Sequence, residues 1–184
     1  MLSKIDSFFT THDKSRITQG DLLRVFEVPI TKKTEKDYVV ELMTYPFLIV
    51  MSQDCDLEQC NNTTANGAKN AFLANILVLP AFLAQDIKEG SAFAEYGISQ
   101  EPKSSKDMEK IKAGKEARYF YISENEPLKI PELIIDFKHY LTIPKETVES
   151  NYNEKYCATI NELFRENLVR KFANYLSRIG LPVI

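Results

Sequence analysis

The chain has 184 residues, 44% of them hydrophobic and 27% charged, with a net charge of -3 at neutral pH. That is one ordinary domain with enough apolar matter for a packed core, and it excludes wholesale disorder. No apolar run approaches the roughly 20 residues of a membrane-spanning helix, and the acidic balance means that nucleic-acid binding would have to be local.

Residues 3–11 predict a short lead-in helix with Ile5, Phe8 and Phe9 on one face. Gly20 and Asp21 mark a turn, after which Leu22, Leu23, Val25, Phe26 and Val28 predict a strand that stops at Pro29. The polar stretch Thr31 to Lys36 reads as a hairpin loop. Tyr38 to Met43 and, beyond a break at Pro46, Phe47 to Met51 predict two further strands. The nearly continuous apolar run Phe47 to Met51 implies burial on both faces. Asn61 to Asn70 predicts an exposed loop, and Asn75 to Leu79 a buried strand ending at Pro80.

From Ala81 to Ala117 a broken amphipathic pattern predicts one or two short helices, with a mobile loop around Glu101 to Ser105. Arg118 to Ser123 alternates like a strand. Leu133 to Phe137 and Tyr140 to Ile143 predict a strand pair or one bent strand, closed by Pro144. Tyr156, Ile160, Leu163, Phe164, Leu168, Phe172, Tyr175, Leu176 and Ile179 recur at spacings of three and four. They predict a long helix over 154–180, stopped by Gly180 and Pro182. At about 1.5 to 3 kcal/mol per buried side chain its stripe is enough to dock it on the sheet. One domain over 1–184 is therefore expected: a sheet body over 16–145, with the helical insertion at about 81–117, and the final helix.

The order Gln19-Gly20-Asp21-Leu22-Leu23, a strand ending at Pro29, then Tyr45-Pro46-Phe47-Leu48-Ile49-Val50-Met51-Ser52 and Ile76-Leu77-Val78-Leu79-Pro80 resembles the MazF/PemK toxin group over about residues 17–85. The resemblance implies an α+β fold: a small SH3-like β-barrel with inserted short helices and a long C-terminal helix packed on it. In members that cut RNA it also implies an Arg before the first of those strands' Pro and a Thr or Ser after the later Pro, together handling the scissile phosphate. Here Tyr45 stands in the Arg position, and Ala81 and Phe82 follow Pro80. A neutral ring does not stabilise phosphorane charge as a guanidinium does, so the scaffold is expected without the toxin chemistry.

Gln53-Asp54-Cys55-Asp56 places an amide, two carboxylates and a thiol directly after the most buried strand. At a strand end such groups reach the mouth of a barrel or cleft. Asp54 and Asp56 with His139 could bind a divalent cation such as Mg²⁺, and Cys55 with His139 or His12 could act as nucleophile and base. The competing reading is an Asx-type turn with Cys55 filling a small apolar space. Asp136 and His139 form a second polar cluster beside a buried strand and could orient one another. Arg165, Arg170 and Lys171, with Arg178, lie off the apolar stripe of the final helix and could touch phosphates, although Glu162 and Glu166 interrupt them. Cys55, Cys60 and Cys157 are odd in number and poorly spaced for zinc, so free thiols are expected and no metal site is predicted. With no basic and apolar leader at the N-terminus, the cytoplasm is the expected compartment.

The leading expectation is a non-catalytic, barrel-type binding module, an accessory component of a bacterial toxin–antitoxin or phage-defence system, with a protein or RNA partner and no cofactor. The alternatives are an endoribonuclease-like or other hydrolase built on Asp54, Cys55 and Asp56 with Mg²⁺, and a homodimer through the final helix that Phe172→Glu would disrupt.

Overall fold

The computed structural model describes residues 7–66 and 73–178. Its frame is a pair of thirteen-residue strands, β2 (Asp21–Lys33) and β3 (Tyr38–Val50). They are joined by a turn in which the Thr34 N–H and hydroxyl both donate to the Asp37 carbonyl at 2.8 Å. Around them lie β1 (Phe9–Thr10), α1 (Asp54–Asn66), β4 (Asn75–Leu83), α2 (Ala84–Glu89), α3 (Ser105–Lys112), β5 (Tyr119–Ile122), β6 (Leu133–Asp136), β7 (Leu141–Pro144), α4 (Lys145–Lys155), β8 (Tyr156–Ile160) and α5 (Glu162–Leu176). The expected α+β class holds. The strands form one antiparallel sheet in the order β1-β8-β2-β3-β4-β6-β5, with β7 also on β4. The sheet is open: among the described residues β1 and β5, at its two ends, do not pair with each other.

The apolar run in β3 is buried on both faces, as its composition predicts. Leu48 and Val50 join Leu23, Val78, Phe82, Val148 and Tyr152 in one core. Phe47, Ile49 and Met51 join Leu22, Leu79, Ile135, Leu168 and Phe172 in the other. Period-two alternation thus sends neighbouring side chains into separate cores. Helices α1 to α4 contribute to the first, and α5 to the second.

Several boundaries differ from expectation. Pro29, Pro46 and Pro80 lie inside strands rather than ending them. A proline is tolerated where its missing N–H interrupts no ladder. Pro29 pairs with Leu42 where, among the described residues, β2 has no strand on its outer edge, because β8 reaches β2 only through Asp21 to Leu23. Pro80 falls between the stretch of β4 that pairs β7 and the stretch that pairs β6. Pro46 stands opposite Val25, the one place where the β2–β3 register is interrupted.

The helix over 154–180 is also corrected. Tyr156 to Ile160 form β8, the helix begins at Glu162, and α4 precedes them where no helix was predicted. Tyr156 and Ile160 have helical spacing, but as part of β8 they enter different cores, because the β2–β8 register shifts between the Leu22–Ala158 and Leu23–Tyr156 pairs. Ile179, Gly180 and Pro182 lie outside the described residues. Phe9 and Thr10 pair with β8 as a strand instead of closing the lead-in helix, whose residues 3–6 lie outside the described residues. The predicted loop at Asn61 begins as the second half of α1, and residues 67–70 lie outside the described residues. Leu133 to Asp136 and Leu141 to Pro144 pair with β4, not with each other, because a 3-10 turn at Phe137–His139 bends the chain between them. Among the described residues no helix is long and apolar enough to cross a membrane.

Candidate functional site

The segment after β3 turns into a helix at once. The Gln53 carbonyl accepts from the Asp56 and Leu57 N–H groups at 3.1 Å each, opening α1. Asp54 receives a two-pronged bond from Arg16, 3.0 Å at each oxygen, and a third from the Gln19 N–H at 3.2 Å. The Arg16 guanidinium holds the Asp54 carboxyl below the usual range. Gln53, Cys55 and Asp56 are exposed, with the Cys55 Sγ 3.5 Å from Gln53 Oε1 and 3.9 Å from Asp56 Oδ1. The expected accessible rim is present, but the carboxylate at its head is tied to an arginine of the preceding loop.

His139 belongs to a different neighbourhood. Its ring lies on Phe93, centroids 4.1 Å apart, and its Nε2 is 3.7 Å from Asp136 Oδ2, beyond hydrogen-bond reach. Asp136 is fully buried and is claimed by Arg118, whose Nε donates at 2.7 Å and whose Nη2 binds the other oxygen, and by the Lys138 N–H at 3.1 Å. Among the described residues no hydrogen bond or ion pair joins His139 to Gln53, Asp54, Cys55 or Asp56. Tyr45 is buried, its ring 5.2 Å from that of Tyr96.

The basic residues of α5 divide. Arg165 donates to the Gln19 carbonyl at 3.0 Å, and Lys171 to the Gly114 carbonyl at 3.2 Å. Arg170 is exposed and donates to Asn167 on its own helix. Among the described residues no three His, Cys, Asp or Glu side chains gather as ligands for one ion. A cavity of about 570 Å³ lies between α2, α3 and Pro131-Glu132, and none of the candidate site residues lines it. Its Lys112 and the neighbouring Tyr121 hydroxyl both bind Glu132.

One cluster escaped the sequence reading. Asp21, fully buried, accepts from the Thr18 N–H and hydroxyl at 2.7 Å each, from the Thr159 hydroxyl at 2.7 Å and from the Tyr152 hydroxyl at 2.6 Å. His12 Nε2 lies 3.0 Å from its Oδ1. The Lys14 N–H donates to His12 Nδ1 at 3.1 Å. That requires a lone pair on Nδ1 and places the ring proton on Nε2, facing Asp21. Both nitrogens of His12 are thus engaged within the fold, and among the described residues no hydrogen bond joins it to Cys55. Burial and the Asp21 charge push the Tyr152 phenol far above its ordinary range, so it stays a donor. The only local signal was Gly20-Asp21, which reads as a turn; Tyr152 and Thr159 lie more than 130 residues away. No family model matches the chain, and no curated protein matches it.

Proposed function

We propose that this chain is a non-catalytic binding module, of the kind that serves as a partner component in a bacterial toxin–antitoxin or phage-defence system. The observation that carries the reading is the dispersal of its chemical groups. Asp54 is bound to Arg16, Asp136 to Arg118, and His12 to Asp21 and the Lys14 N–H, while Cys55 has no imidazole among its partners. A general base or nucleophile needs a free lone pair and an aligned partner; Asp54, Asp136 and His12 are engaged in holding the fold, and Cys55, though exposed, has no aligned base. Consecutive antiparallel pairing of β2, β3 and β4 supports reading residues 17–85 as a small-barrel scaffold akin to the MazF/PemK group. The burial of Tyr45 and the continuation of β4 through Ala81 and Phe82 are in keeping with loss of its phosphate-handling groups.

The test is degradation of RNA and DNA with Mg²⁺ or Mn²⁺ by the parent, Asp54→Asn and Asp56→Asn. No cleavage by any of the three is expected. Cleavage by the parent that both substitutions abolish would replace this reading with a metal-dependent hydrolase.

A further inference from the structure

Among the described residues, one face of the outer half of the β2–β3 hairpin has no cover. At Val25 and Pro46 both strands reverse the faces they present. Leu23 and Phe26 point into the same core although three residues apart, and Tyr45 and Phe47 into opposite cores although two apart. Val25 takes φ +48°, which interrupts the alternation. Beyond this junction Phe26, Val28 and Tyr45 enter the first core, with Ile30 and Met43 packed against it. The opposite face is formed by the pairs Glu27 with Thr44, Pro29 with Leu42, Thr31 with Val40, and Lys33 with Tyr38. Tyr38, Val40 and Leu42 are 71%, 70% and 66% exposed, a run of large apolar side chains at period two on one face. Among the described residues neither edge of this ribbon has a neighbour, since β8 pairs β2 only as far as Leu23 and β4 pairs β3 only from Phe47. A two-stranded ribbon with a bare apolar face is marginal in water.

We infer that the occupant of this face is the same face of a second copy of the chain, the two ribbons packed across a two-fold axis. Charge decides the partner and its direction. Glu27 stands at the base of the face and Lys33 at its tip, with Leu42 and Val40 between them. A two-fold antiparallel arrangement sets each Lys33 over the other copy's Glu27 and stacks the apolar centres. A parallel arrangement opposes like charges. Of the arm's other charged residues, Lys32 and Glu41 pair within the chain, and Glu35, Lys36 and Asp37 lie in the turn beyond Lys33 and carry two negative charges and one positive. An isologous contact of this kind closes at two copies. Tyr38, Val40, Leu42, Pro29 and Thr31 offer on the order of 400 to 500 Å² per copy, so the pair buries about 800 to 1,000 Å², the low end for specific association. An interface of that size is expected to give a weak, reversible dimer, sought at about micromolar concentrations and above. The inference deepens the binding-module reading by naming its surface, and its test reads mass rather than activity, so either can fail alone.

The experiment is sedimentation velocity of the full chain from about 1 to about 200 µM, concentrations that bracket the expected dissociation. The parent should move from one chain mass, 21.1 kDa, toward two. Val40→Lys should stay monomeric with an unchanged circular dichroism spectrum and melt, since Val40 is exposed. Glu27→Lys and Lys33→Glu should each weaken association about tenfold, and the double variant should recover it, because the swapped charges again meet. A parent monomeric throughout, a Val40→Lys protein that pairs as well as the parent, a double variant no better than the single ones, or assembly beyond two chains would each overturn the two-fold arm contact.

Discussion

Asp21 shows how much one buried charge can organise. An isolated carboxylate is expelled from a protein interior, and it is retained only where donors replace the water it loses. Here the donors come from the turn before β2, from α4 and from β8, and His12 joins them from the loop after β1, so the carboxylate clamps four parts of the chain at one point. Tyr152→Phe should lower unfolding free energy by about 1.5 to 3 kcal/mol, the range for a hydrogen bond to a charged group. Asp21→Asn should cost more, because its amide turns a donor toward donors. Urea titrations should show both shifts in midpoint with an unchanged slope; an Asp21→Asn protein as stable as the parent would mean that the clamp contributes nothing. His139 carries the pH dependence. Burial lowers its pKa from the ordinary imidazole value, while Asp136 opposes this and Arg118 and Lys138 reinforce it. The unfolded chain then takes up a proton at a pH where the folded one does not, so stability falls as pH drops below about 6.5. His139→Gln should flatten the difference in melting temperature between pH 7 and pH 5. Asp54, with a lowered carboxyl pKa, acts in a separate window: its contribution is present above the ordinary carboxylate value of 3.8 and is lost as pH falls through its lower folded value. An unaltered slope in His139→Gln would assign the effect elsewhere.

At the scale of elements, the sheet strands were legible wherever an apolar run or alternation was long enough. Leu22 to Val28, Phe47 to Val50 and Asn75 to Leu79 all lie in strands as expected, and the run in β3 is the clearest because burial on two faces leaves an unmistakable composition. Their ends were not legible, since whether a proline stops a strand depends on what lies beside it. Helix α1 was missed because Asn61-Asn62-Thr63-Thr64 favours loops; Leu57 and Cys60, both buried, anchor the half that precedes it. The candidate site was half legible: Gln53 to Asp56 do follow the buried strand to an accessible rim, but Arg16 and Arg118, the real partners of Asp54 and Asp136, lie 38 and 18 residues away in sequence. Nor could the sequence announce Val25, a β-branched residue at φ +48° and 50% exposed. The left-handed region costs such a side chain about 1 to 2 kcal/mol, and little packing offsets it. Val25→Gly should therefore stabilise the protein by up to about 1 kcal/mol, after allowing for the extra entropy glycine brings to the unfolded chain. A lower urea midpoint for this variant would show that Val25 holds the junction by contacts instead.

Across the whole molecule, one sheet separates two cores that are unequal in their cover. Several helices close the first, whereas α5 closes the second largely through Leu168 and Phe172, the latter 5% exposed with its ring 5.4 Å from that of Phe137. Phe172 is therefore an internal anchor within the chain. Phe172→Ala should cost about 3 to 5 kcal/mol, whereas Val40→Ala on the arm should stay within about 0.5 kcal/mol. The same contrast should govern opening motions. Amides of β3 from Phe47 to Val50 and of β4 lie between both cores and exchange only when the sheet comes apart, while those of residues 28–43 need only the arm to fray, with one face packed and both edges open. Hydrogen exchange on dilute protein should thus release the arm orders of magnitude sooner than the β3–β4 ladder, with the step falling at Val25 and Pro46. Protection running evenly from Phe47 out to Tyr38 would show that the arm is held as firmly as the core within a single chain, and that its exposed stripe is already covered.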